Sequence, residues 1–268
     1  MIRSNFHTHT RYCDGKDSVF EMAEAAAAQG LTALGFSGHS TTPFDLRFCM
    51  AAEDLPRYAA DVRRAREIYE GRMEIYLGVE DDLYGERPAF ERDYTIGSVH
   101  YLLSGGVIYP VDESEEDLKR AVREGFGGDP LALTRCYFET AAQVQEKTQC
   151  DFVGHFDLVT KYNFGLFDEE DPRYLGPALE ALEHLCRQGA VLEINTGAMA
   201  RGVRRVPYPA PVLLRAAREF GASIVLSSDC HDKEKLLYGY DEAVELAKNC
   251  GFRTARTLTA SGWRETPL

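Results

Sequence analysis

Seven histidines stand at positions 7, 9, 39, 100, 155, 184 and 231, and all but His184 fall just after a short β-rich run. Other polar residues obey the same placement. Glu80 closes Gly78-Val79-Glu80, Asp157 follows His155, Asn195 closes Glu193-Ile194-Asn195, and Asp229 precedes His231. Neutral imidazole and carboxylate together are the ligand set of Zn, Mn or Fe(II). Six imidazoles crowded among carboxylates would be poorly solvated and mutually frustrated unless cations took up their lone pairs. His7 and His9 are two apart. On an extended chain, alternation points both side chains to one side, so both can bite one cation. Asp229 and His231 share that spacing.

A lone histidine at a strand end is more often a hydrogen-bonded core residue than a ligand. It is the joint pattern that predicts metal. His184 lies inside a helical stretch, Ala181-Leu182-Glu183-His184-Leu185, and reads as structural. The 7 cysteines show no C-x-x-C spacing. Cys13 and Cys230 flank proposed ligands, but alternation turns Cys230 away from its neighbours, and packing is the expected role. An odd set of free thiols predicts a reduced, cytoplasmic protein.

These residues need a frame that gathers strand ends. Candidate strands at 2–6, 33–37, 74–79, 94–99, 151–154, 191–194 and 223–226 alternate with helical stretches at 18–29, 53–70, 131–149, 175–188, 210–220 and 240–249. Such alternation predicts a mostly parallel sheet with helices outside, and about seven units suggest a barrel one unit short of eight. In that architecture function is built where the strand ends converge. No repeat or linker interrupts the 268 residues, so one domain over 1–268 is expected. Residues 105–128 are irregular and acidic and read as an excursion or lid. Within them, the charge run at 112–117 reads as a solvated helix start.

The ordered pieces His7-Thr8-His9, Cys13-Asp14-Gly15, Ser37-Gly38-His39, Gly78-Val79-Glu80, Ser98-Val99-His100, Gly154-His155-Phe156-Asp157 and Ser228-Asp229-Cys230-His231 resemble the polymerase and histidinol phosphatase (PHP) superfamily. The resemblance implies a distorted (β/α)7 TIM-like barrel with a trinuclear centre at the C-terminal ends of the strands. It implies that His7, His9, Glu80 and Asp229 form one site. Glu80 would bridge to a second, completed by His100 and His155. Asp14, His39 and His231 would form the third. Asp14 rests on the resemblance alone, since it lies in a loop. The stretches from Cys13 to Ala23 and from Ile194 to Pro209 are most similar to the histidinol-phosphate phosphatase branch. That likeness implies hydrolysis of L-histidinol phosphate, a step of histidine biosynthesis, by a hydroxide bridging two cations.

Cationic side chains are expected to complete a phosphate clamp: Arg201 after the sixth strand and Lys161 after the fifth. Arg204 and Arg205 read equally well as a solvated loop. Asn195 is expected to position substrate or order the Arg201 loop, and Asp157 or His231 to relay a proton to the leaving group. Tyr101 and Phe164 are candidates for the substrate's imidazole and amine. A net charge of -13 argues against long nucleic acid as partner and for a small phosphorylated substrate. Alternatives are a PHP phosphoesterase acting on nucleotides or oligonucleotide ends, an amidohydrolase-type enzyme, and a metal- or phosphate-binding protein without turnover. No strand ends in the bridging lysine that amidohydrolases often use. The opening residues show no signal peptide, and no run approaches a membrane span.

Overall fold

The computed structural model describes residues 2–268. Seven strands, β1 (Ser4–Asn5), β2 (Ala33–Phe36), β3 (Glu74–Asp82), β4 (Tyr94–Ser98), β5 (Phe152–Val153), β6 (Val191–Asn195) and β7 (Ser223–Ser227), pair in chain order. Every pairing is parallel. The last segment returns to the first. Thr8 bridges Cys230 in parallel, His9 N–H donates to Cys230 O at 2.8 Å, and Cys230 N–H donates to His7 O at 3.0 Å. This short bridge closes the distorted (β/α)7 TIM-like barrel between the segments that carry His7 and His9 and those that carry Asp229 and His231.

Parallel strands covered on both sides need apolar residues on both sides, which explains the near-continuous apolar runs. In β3, every residue from Ile75 to Asp82 is buried. The helices start and stop where local chemistry directs. Ser18 and Glu21 form a reciprocal capping box at the head of Val19–Ala28, and Gly30 takes a positive φ of 75° just beyond its end. Leu55–Tyr69 turns Tyr58, Ala59, Val62 and Ala65 inward. Helices Pro172–Arg187, Pro211–Glu219 and Tyr240–Asn249 lie within a few residues of the expected ones.

Three elements differ from expectation. The stretch at 131–149 is two helices, Pro130–Ala141 and Val144–Thr148, because the Gln143 N–H bonds Thr140 O and tightens the turn. The excursion opens as a hairpin, Tyr101–Ser104 against Val107–Pro110. It continues into helix Glu115–Arg120, which Ser114 caps and whose first turn holds Glu115, Glu116 and Asp117. Acids there face the positive end of the helix dipole, so the charge run is indeed a helix start. A second hairpin, Thr254–Thr259 with Gly262–Pro267, covers the N-terminal end of the barrel. Its Trp263 packs edge-on against Phe6, Tyr94 and Phe152 and donates to Asp151 Oδ1 at 3.1 Å. Tyr94 crosses the interior to donate to Phe6 O at 2.6 Å. Gly35 and Gly78 lack side chains where a Cβ would overlap its ring.

Candidate metal centre

Glu80 ends the inward face of β3 and is 1% exposed. Its Oε1 accepts from Ser98 Oγ at 2.7 Å and lies 2.9 Å from His155 Nε2 and 3.3 Å from His100 Nε2. Its Oε2 lies 3.0 Å from both His7 Nε2 and His39 Nδ1, and 3.4 Å from His9 Nε2. One carboxylate therefore faces five imidazoles. Asp229 sits beside it, its Oδ1 3.3 Å from His9 Nε2, 3.4 Å from His231 Nδ1 and 3.7 Å from His7 Nε2. Asp229 adopts φ 46°, a strained conformation for a residue with a side chain. Gly197 leaves room for it, since a Cβ there would come within 2.8 Å of Asp229 Oδ2. Asp14 reaches in from its loop, with Oδ2 3.0 Å from His231 Nε2 and Oδ1 3.7 Å from His39 Nε2.

The nine residues expected as ligands thus meet at one mouth. Four overlapping groups have donor atoms close enough for a shared cation: His9, Asp14, His39 and His231; His7, His155 and Asp229; His7, His9 and Glu80; and His39, Glu80 and His100. The donors fit cations on a second count. His7 Nε2, His9 Nε2, Asp14 Oδ1 and Glu80 Oε2 are buried and make no hydrogen bond. Buried polar atoms without partners are rare in native proteins, and lone pairs converging on a common point are what a divalent cation satisfies.

Without cations, the charges here are at odds. Burial favours a neutral His7, but Glu193, Glu80 and Asp229 outweigh it and hold its pKa well above the ordinary value. Burial, with His231 and His39 nearby, pushes His9 down to about 3. Burial also opposes charge on Glu80, yet His7, His39 and His100 hold it well below the usual carboxylate range. Replacing protons on such imidazoles by cations removes that conflict.

Behind the ligands stands a layer that sequence reasoning passed over. Glu193, fully buried in β6, places Oε1 2.6 Å from His7 Nδ1 and also accepts from the Ser227 hydroxyl. Its Oε2 accepts from His155 N–H at 2.8 Å and Asn195 Nδ2 at 2.9 Å. A proton on Nδ1 shared with this carboxylate leaves the His7 Nε2 lone pair facing the centre. Asp82 does the same for His100, 3.2 Å from its Nδ1. The signal was present: a glutamate in the middle of a buried parallel strand is itself anomalous.

Arg201 and Lys161 line the cavity over this cluster, a space of about 180 Å³. Arg201 follows a short helical turn, Gly197–Ala200, and its Nη2 donates to Asp229 Oδ2 at 3.0 Å. Lys161 Nζ donates to Asp112 Oδ2 at 2.9 Å. Four residues expected on the substrate side, Asp157, Asn195, Tyr101 and Phe164, do not line this cavity. Asp157 is 0% exposed, accepts from Ala210 N–H at 3.0 Å, and is pushed up to about 6 by burial despite nearby Arg204. Packing separates it from the cavity. Asn195 is also 0% exposed, and its Oδ1 accepts from Gly197 N–H at 2.8 Å. It orders the turn that carries Arg201 and does not line the cavity. Arg204 is no solvated loop residue: its side chain is 9% exposed, bonded to Thr160 and stacked on Tyr208. Phe164 is 63% exposed and lies away from this cavity. Cys13 Sγ lies 3.5 Å from His9 Nδ1, and Cys230 Sγ donates to Asp232 O at 2.8 Å.

Residues 5–197 match the model of the PHP domain family. The chain belongs to the PHP family. Asp229 and His231 lie beyond the matched residues, just after β7. Over 261 residues, covering 92% of this chain and 94% of the relative, it is 34% identical to a protein of Deinococcus radiodurans described as a probable histidinol-phosphatase. A Schizosaccharomyces pombe protein of the same description is 26% identical over 275 residues, covering 91% of this chain and 86% of that one. Among solved structures, the histidinol phosphate phosphatase of Lactococcus lactis, complexed with Zn, L-histidinol and phosphate, superposes with a TM-score of 0.76. The match spans 98% of this PHP chain and 99% of that one at 20% identity. No helix among the described residues is long and apolar enough to cross a membrane.

Proposed function

We propose that this PHP protein is a metal-dependent phosphomonoesterase that hydrolyses L-histidinol phosphate to L-histidinol and phosphate, a step of histidine biosynthesis. The observation that carries the reading is the clustering of nine residues with nitrogen and oxygen ligand atoms beneath one cavity that two cationic side chains line, in a chain similar to a probable histidinol-phosphatase along nearly its whole length.

His7, His9, Glu80 and Asp229 would hold one cation, Glu80 with His100 and His155 a second, and Asp14, His39 and His231 a third. His39 and His9 lie close enough to be shared between neighbouring sites. Bound divalent cations supply a water acidic enough to act as nucleophile near neutral pH and positive charge for the phosphate oxygens. The chain's own part is positioning. Arg201, fixed through Asp229, and Lys161, fixed through Asp112, present guanidinium and ammonium groups to the phosphate from the cavity wall. Ser98 and Glu193 hold Glu80 and His7 in the orientation the centre needs.

The test is phosphate release from L-histidinol phosphate beside a panel of nucleotides and sugar phosphates. The protein would be loaded with Mn, Zn or Fe, with a chelated control. The expected result is a preference for L-histidinol phosphate of about two or more orders of magnitude in kcat/KM, abolished by chelation. Equal or greater activity on a nucleotide would overturn the substrate assignment and leave the metal chemistry standing.

A further inference from the structure

Arg204 stands three residues after Arg201, yet its side chain turns inward and is only 9% exposed. Its Nη1 donates to the carbonyl of Thr160 at 3.3 Å and also to the Thr160 hydroxyl. Its Nη2 lies 3.6 Å from Glu169 Oε2, and its guanidinium stacks on the Tyr208 ring at 4.9 Å. Taking a guanidinium out of water is costly, and apolar residues of similar volume are often at least as stable in such a place. Stability alone is therefore a weak reason for Arg204. What it joins is the stronger one.

Thr160 and Arg204 lie on the two loops that carry the cations of the cavity. Lys161 follows Thr160 directly, at the end of a single turn, Leu158–Thr160, beyond β5. Arg201 lies beyond β6 and is held on its own account, through Asp229 Oδ2 at 3.0 Å and Asp229 O at 3.3 Å. Lys161 is placed differently. Its ammonium sits on a long flexible stem, so its reach depends on where its backbone is anchored. Arg204 grips that anchor at the peptide just before it. The Thr160 hydroxyl passes the grip on, donating to Asp157 O at 2.7 Å. From the Arg201 side, Ala210 N–H donates to Asp157 Oδ2 at 3.0 Å. Glu169 is steadied in turn by Asn163 Nδ2 at 3.2 Å. Arg204 and Ala210 thus pin the turn after β5 to the loop after β6.

Resting on the phosphatase reading above, we propose that Arg204 is a positioning residue: by tying Thr160 to the Arg201 loop, it fixes the spacing of Lys161 and Arg201 so that both cations meet one phosphate. Arg204 does not line the cluster cavity, and its bonds go to Thr160 rather than to any proposed metal ligand. Its loss therefore reaches the phosphate through Lys161 and leaves the metal centre as it was.

Calorimetric titration of the Mn-loaded protein with inorganic phosphate tests this, in Arg204→Met, in Lys161→Met and in the double variant. Each single change should weaken phosphate binding roughly 10-fold, the low end for a hydrogen bond to a charged group. The double variant should bind no more weakly than Lys161→Met, because Arg204 acts through that side chain. Arg204→Lys, which keeps a donor for Thr160, should recover part of the loss, and metal content should match wild type throughout. Should Arg204→Met not fold, Thr160→Val removes the bonded hydroxyl at nearly constant volume and should show the same non-additivity with Lys161→Met. Wild-type phosphate affinity in the variant tested, or losses that add to those of Lys161→Met, would overturn the inference. A wild-type protein that neither binds phosphate nor hydrolyses any phosphomonoester overturns the phosphatase reading and this role with it. One that does both, while Arg204→Met binds phosphate equally well, overturns the role alone.

Discussion

At the scale of single residues, Glu193 has the least forgiving position. Every neighbour of its carboxylate is a donor: His7 Nδ1 and the Ser227 hydroxyl at Oε1, His155 N–H and Asn195 Nδ2 at Oε2. Glu193→Gln keeps the volume but puts an NH2 against donors whichever way the amide turns. His7 loses the acceptor that keeps its proton on Nδ1, and its Nε2 lone pair is no longer held toward the centre. Metal affinity should fall about 10- to 100-fold, the usual effect of removing such a supporting carboxylate. Metal content after dialysis against a weak chelator measures this, and excess metal should restore much of the activity. Full metal retention after that dialysis would show that the Glu193 contact is only structural.

At the scale of elements, the C-terminal hairpin plugs the barrel end opposite the metal centre, with Trp263 as its anchor. Trp263→Ala should cost roughly 3 kcal/mol, the low end for a large aromatic because the ring is only half-buried. That lowers the melting temperature by roughly 6–12 °C, while metal content and kcat at 25 °C should hold. Loss of metal together with stability would mean that the two ends of the barrel are coupled. This hairpin was not legible in the sequence. Its turn, Ala260-Ser261, carries none of the Asn-Gly or Gly-Gly chemistry that marks a tight turn. The other hairpin did carry a signal, Gly105-Gly106 with φ of 58° and 82°, which the surrounding acidity obscured. The break after Ala141 left no trace, because Tyr137, Phe138, Ala141 and Val144 continue one apolar stripe across it. The barrel strands and their terminal histidines were readable because polar ligands interrupt buried apolar runs at one end only. Asp14, in a loop without periodicity, needed the resemblance. The burial of Asp157 and Asn195 could not be read, since a strand-end position does not say whether a side chain faces the mouth or the packing behind it.

For the whole molecule, the metal centre and barrel closure are one feature. The sheet closes through a single bridge, Thr8 with Cys230, and the flanking residues His7, His9, Asp229 and His231 all point into the cluster. Cations bound there would tie the first segment to the last across the closing seam of the barrel. They would also relieve the buried donors that have no partner. Removing them leaves like-charged carboxylates and neutral or charged imidazoles to settle their protons alone in a dry site, which favours opening of that seam. A ligand present at 100 times its dissociation constant stabilises the fold by about 2.7 kcal/mol per independent site. Exhaustive chelation should therefore lower the melting temperature by at least roughly 5 °C, and adding back Zn or Mn should restore it. Amide hydrogen exchange should localise the effect. Protection should fall first at His9 and Cys230, whose N–H groups form the closing bridge, and persist in β3 and β4 at the far side. A chelated protein with unchanged melting temperature and an intact bridge would show that the barrel closes by packing alone, and that the cluster is carried by the fold without contributing to it.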